Sequence, residues 1–331
     1  MKLFLMTLQQ VGVLTICILI GYFFKRKRLI TDEGKTTLAK LLVYFFSPCY
    51  TVMSLSTVVN IYDIVEYVSL LAAGVGVAAF GILLANVFGK LVSREKLERN
   101  IVIYALAFSN IGYFGYPIVA AIFGEIMRAQ MMLFCLPMTI CINTYGYYIL
   151  TTGLSNPSQG KKSMKERLSF LWSPPLLGTY VGVMLGLLSS GVGFAIPNFV
   201  MEILQTAGNC QSAVAMLLTG AVLAGVPFGQ LFVSWRSYIV GVLRLLVIPV
   251  IMGACFLLLN FFGLGGETFR LIFRVSVIST ALPVGMNTVV FPEAVGQDGT
   301  NGAKTCFISY LLALITMPLI FMLMEFVVTM F

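Results

Sequence analysis

The chain has 331 residues, 59% of them hydrophobic and only 10% charged, with a mean hydropathy of +0.96. A soluble globular chain carries about 25% charged residues, so this composition is that of an integral membrane protein, and recurring apolar runs of about 20 residues select helical spans and exclude a β-barrel. In a soluble protein the net charge of +8 would suggest nucleic-acid binding; here asymmetric lysine and arginine placement across a lipid bilayer accounts for it, and no nucleic-acid partner is expected.

Ten spans are read in chain order, at 6–24, 37–56, 64–88, 101–122, 130–153, 170–190, 199–223, 238–262, 269–292 and 305–328. The first is expected to be retained as a helix, because no small-residue cleavage site follows its apolar stretch and Lys25-Arg26-Lys27-Arg28 stops it. Pro48 interrupts the second span and Pro174-Pro175 open the sixth, which reads as shaping of the helices. Small residues in the third, Ala72-Ala73-Gly74-Val75-Gly76, suit close helix packing. The polar connection 156–168 divides the chain into 1–155 and 169–331, each with five spans. Five is odd, so the second half is expected to sit inverted relative to the first.

Of the 21 basic residues, all but Lys2, Arg128, Arg244, Arg270 and Arg274 fall on the side of the connection 156–168. That side is expected to be the cytoplasm of a multi-pass cell-membrane protein, with both termini outside. Lys2 and Arg128 are placed outside. Arg244 is expected to snorkel to the inner interface, and Arg270 and Arg274 to lie at the outer surface. Glu66, Glu202 and Glu325 read as interfacial. The seven cysteines form no C-x-x-C pair and histidine is absent, so neither a structural zinc site nor a disulfide framework is indicated.

Two stretches break the pattern of plain apolar helix. Asn110–Pro117 reads N-I-G-Y-F-G-Y-P, and Ala281–Asn287 reads A-L-P-V-G-M-N. Pro117 and Pro283 cannot donate a backbone hydrogen bond, and their rings displace the carbonyls of Tyr113 and Ser279 four residues back. Gly112, Gly115 and Gly285 remove side chains beside each break, while Asn110 and Asn287 add amides. Unpaired backbone at membrane depth survives where it lines a protein cavity, and paired interrupted spans in two halves point to a transporter's binding site. If the two spans unwind and cross there, each leaves a half-helix whose N-terminus favours an anion.

The motif N-x-x-x-x-G-x-P at Asn110–Pro117 and A-L-P-x-G at Ala281–Gly285 resemble the two crossover motifs of the auxin efflux carrier family. The likeness continues through Val289-Val290-Phe291 to Ala313–Pro318. It implies an all-α membrane protein with a fold similar to sodium/proton antiporters and bile-acid:sodium symporters: ten transmembrane helices in two inverted five-helix repeats, with broken crossover helices 4 and 9. It further implies a scaffold domain of spans 1, 2, 6 and 7 and a transport domain of spans 3–5 and 8–10. Matched residue by residue, Asn110, Gly115 and Pro117 fall in the first crossover, Pro283 and Gly285 in the second, with Asn287 where bacterial relatives commonly carry Asn. The central loop is short, and the acidic–lysine pair of plant carriers has no counterpart between Leu70 and Val87. Both departures favour a bacterial-type carrier of malate, malonate or related carboxylates over auxin.

The expectation is therefore a secondary active transporter of small organic anions that works by alternating access and needs no cofactor. A proton or sodium ion is the candidate coupling ion, and a homodimer the candidate assembly. Substrate would be held by Asn110, Gly112, Gly115, Pro117, Pro283, Gly285 and Asn287, with Asn143 and Gln211 as secondary candidates among the other intramembrane polar groups. The alternatives are a sodium-coupled symporter of the bile-acid type and a non-transporting sensor. With no histidine, no metal-ligand cluster and no paired carboxylates in a span, an enzyme is not expected.

Overall fold

The structure is a computed structural model that describes residues 2–151, 172, 174–288, 291 and 300–329. The connection 156–168, Val289-Val290 and the side chain of Asn143 lie outside the described residues. The described chain is helical and contains no strand beyond an isolated bridge between Ser109 and Val284.

Helix α1 (Lys2–Arg26) ends on Lys25 and Arg26, cations that suit the negative end of the helix. Helix α2 (Asp32–Val58) starts where the Thr31 hydroxyl accepts from Gly34 N at 3.0 Å, with Asp32 and Glu33 in its first turn. Then come α3 (Ile64–Val92), α4 (Lys96–Ala107), α5 (Ile111–Phe123), α6 (Glu125–Phe134) and α7 (Leu136–Thr151). The second half holds α8 (Pro174–Val192), α9 (Asn198–Leu223), α10 (Trp235–Phe261), α11 (Glu267–Ala281) and α12 (Thr300–Val328).

Five helices, α1, α2, α3, α10 and α12, are long and apolar enough to cross a membrane, and α6 with α7, inclined at 48°, would make a sixth crossing. The molecule is thus a multi-pass, all-α membrane protein. Large apolar side chains such as Leu5, Ile16, Phe23, Val68, Leu83 and Leu258 stay exposed on these helices, as a lipid-facing surface requires.

Small residues set the helix contacts. Gly178, Gly182 and Gly186, one turn apart on α8, press directly on the α2 backbone at Pro48–Thr51, Leu55 and Val59. Gly21 of α1 meets the Leu217 carbonyl of α9, and Gly220 of α9 meets the Ile18 carbonyl of α1. Gly74, in the small-residue run of α3, abuts the Phe134 carbonyl. Without side chains the backbones approach closely, which is how helices associate where lipid is as apolar as leucine.

Widened π turns interrupt α2 at Leu42–Phe46, open α5 at Ile111–Gly115 and interrupt α10 at Leu243–Val247. These three stand immediately ahead of a proline at the second position of the next segment, Pro48, Pro117 and Pro249, whereas a fourth π turn, Ile142–Gly146 in α7, has none behind it. A proline ring crowds the carbonyl four residues back, and one wider turn relieves that crowding without ending the helix.

Candidate functional site

The two interrupted stretches meet. Helix α4 ends at Ala107 and Phe108 takes extended backbone; α11 ends at Ala281, and Leu282, restricted by the proline that follows it, is extended as well. The extended segments pair antiparallel, with Asn110 N donating to Pro283 O at 2.9 Å and Gly285 N to Phe108 O at 3.2 Å. A Cβ on Gly285 would lie 3.3 Å from the carbonyl oxygens of Phe108 and Ser109, so the crossing is tight there.

The first break is displaced from its expected position. The chain unwinds at Phe108–Asn110, and Pro117 lies inside α5 behind the π turn. Pro117 therefore shapes α5, whereas Asn110 marks its start. In the second stretch the proline stands in the break itself.

Side chains from three directions close the crossing. Ser109 Oγ donates to Ser279 O at 2.8 Å, and Asn110 Nδ2 to the Tyr310 hydroxyl at 2.8 Å. Ser309 Oγ accepts from Val284 N at 3.1 Å, and the Tyr310 ring stacks on Phe114 with centroids 5.4 Å apart. Asn287 is half-buried and its side chain engages the Tyr104 hydroxyl. From α9, Gln211 Nε2 donates to Gly112 O at 3.4 Å and Ser212 Oγ to Tyr113 O at 3.5 Å. The Tyr113 carbonyl that Pro117 displaces is thus met by Ser212.

Arg244 is not at the interface. It is 1% exposed and points to the crossing, donating from Nε to Leu282 O at 3.2 Å, from one terminal nitrogen to Leu106 O at 2.6 Å and from the other to Ser279 O at 3.3 Å. Instead of snorkelling, the guanidinium is taken up by carbonyls at two helix ends. Arg128 is likewise inside, 5% exposed, paired with Glu125 and stacked over the Tyr50 ring at 4.7 Å. Arg274 forms a two-pronged pair with Glu325 at 2.9 and 2.8 Å, and Glu66 accepts from Gln130 at 2.7 Å.

The expected site residues thus divide by surroundings. Asn110 is 4% exposed and Gly115 packs on Leu282, so both are built into the crossing, as are Pro283 and Gly285. Gly112 faces open space, with no atom within 4 Å of where a Cβ would stand, and Pro117 and Asn287 are half-buried. Among the described residues the N–H groups of Gly112 and Tyr113, at the start of α5, find no acceptor. Gln211 is 5% exposed and its Oε1 has no partner. Sequence reading missed Ser109, Tyr310, Ser309 and the role of Arg244. Elsewhere, a groove of about 700 Å³ lined by Leu71, Leu133, Tyr180, Met184 and Leu187 is almost wholly apolar and offers an anion little to bind.

The sequence pattern of the family described as "Membrane transport protein" matches residues 6–321. The chain belongs to that family. The resemblance to auxin efflux carriers pointed to the same family. An uncharacterised transporter of Methanocaldococcus jannaschii is 24% identical over 311 residues, covering 93% of this chain and 95% of that relative. A second uncharacterised transporter, from Methanothermobacter thermautotrophicus, is 26% identical over 215 residues, 65% of each chain.

Proposed function

We propose that this membrane transport protein is a secondary active carrier of small organic anions, with malate, malonate or related carboxylates as substrates. The observation that carries the proposal is the pair of unpartnered N–H groups at Gly112 and Tyr113. They open a helix beside empty space at membrane depth, where a positive helix end and unused donors favour a carboxylate. Gln211 and Asn287 line the same crossing, and Asn110, Gly115, Pro117, Pro283 and Gly285 hold its backbone. Asn143 stays a secondary candidate on sequence grounds.

In this reading ten spans form two inverted five-helix repeats with both termini outside. A scaffold of spans 1, 2, 6 and 7 carries α1, α2, α8 and α9, and the crossing belongs to a transport domain that moves against it to give alternating access. A proton or sodium gradient drives the movement.

The test is uptake of labelled malonate and malate into proteoliposomes, with sodium and pH gradients imposed separately. Saturable uptake that falls in Gly112→Leu, whose side chain enters the open space, supports the carrier. Ligand-induced thermal stabilisation without flux means a sensor, and unchanged uptake in Gly112→Leu moves the site elsewhere.

A further inference from the structure

Arg244 is buried differently from the other inward-facing cations. Arg128 pairs with Glu125, Arg236 with Glu98 at 2.7 Å and Arg274 with Glu325 at 2.8 Å. Arg244 has no carboxylate within ion-pair distance among the described residues, and its guanidinium bonds only to the main-chain carbonyls of Leu106, Ser279 and Leu282. Those carbonyls belong to the last turn of α4 and to the end of α11, so two helix C-termini converge on one cation. Each C-terminus carries about half a negative charge, so the pair together balances about one positive charge.

The consequence concerns the other face of the crossing. Without Arg244 the two carbonyl ends would impose a negative potential on the space in front of α5 and oppose an anion there. With it, the free N–H groups of Gly112 and Tyr113 stand uncontested. We infer that Arg244 is the specificity-determining positioning residue of the crossing: its charge cancels the two carbonyl ends and so makes the site accept an anion and reject a cation. This rests on the carrier reading above. A purely mechanical role, in which the fork only ties two backbones together, makes a different prediction.

The experiment compares wild type, Arg244→Lys and Arg244→Gln as the full chain in proteoliposomes, with malonate as the probe and melting in detergent as the check on folding. Lysine keeps the charge but loses the fork; glutamine loses both. The expected result is that both variants melt lower, that lysine leaves the KM for malonate within about twofold, and that glutamine raises it about tenfold or more. Equal KM values for the two variants, or a wild-type KM in the glutamine variant, overturn the inference. If the glutamine variant does not fold, lysine decides alone, since a tenfold rise in KM with charge retained also overturns it. Wild-type protein that neither binds nor takes up malonate removes the carrier reading together with the inference, an outcome distinct from the others.

Discussion

Pro283 deprives the Ser279 carbonyl of its helical donor, and that oxygen is taken up by two side chains from different helices, Ser109 and Arg244. The Tyr113 carbonyl, freed by Pro117, goes to Ser212. At membrane depth a carbonyl with no donor costs several kcal/mol, so these polar side chains are what permit a break there. Asn110 and Tyr310 form a similarly closed pair, both nearly inaccessible. Asn110→Ala and Tyr310→Phe should each destabilise the protein, and the double variant should lose about 1 kcal/mol less than the sum. Detergent unfolding of the four proteins measures this, and strict additivity would show that the bond contributes nothing.

At the scale of elements, two devices recur. The π turn ahead of Pro48, Pro117 and Pro249 keeps a proline inside a continuing helix, whereas at Phe108–Asn110 and Leu282–Gly285, where the flanking residues pair with another strand of backbone, the helix stops. The second device is the glycine row of α8. A side chain at Gly182 would meet Leu55, Thr51 and Val52 of α2 at 3.0–3.1 Å, whereas Gly12 of α1 has nothing within 4 Å. Gly182→Leu should therefore cost about 1–3 kcal/mol or more and Gly12→Leu little. Melting temperatures in detergent compare them, and equal losses would mean that α8 does not rest on α2 through this row.

For the molecule as a whole, the class and both breaks were legible because proline and glycine punctuate otherwise apolar runs. Partners were not. Distance from the inner end of its span suggests that Arg244 snorkels to the inner interface, but sequence distance does not say on which side of a helix carbonyls in need of donors wait. The usable signal was arithmetic: two broken helices leave carbonyls needing donors, and Arg244 is a multi-donor side chain inside an apolar run. Nor does the sequence show that the Arg128 side chain folds in against Glu125 and the Tyr50 ring while Glu125 and Ile126 beside it stay exposed. The asymmetric lysines and arginines make a further prediction, that epitope tags at both termini bind antibody on intact cells while a tag at 160 does not. The reverse pattern would invert the proposed orientation.

The hydrogen bonds around the crossing also grade its stiffness. Inside it, main chain and side chains are joined at 2.6–3.3 Å by Asn110, Ser109, Ser309 and Arg244. Toward α9 the joints are looser, with Gln211 at 3.4 Å and Ser212 at 3.5 Å. Shear would therefore start along the α9 seam and leave the knot of two helices whole. The backbone of the crossing would then travel as one piece and leave Gln211 behind on α9, so a passenger held there would exchange one polar neighbour as it moved.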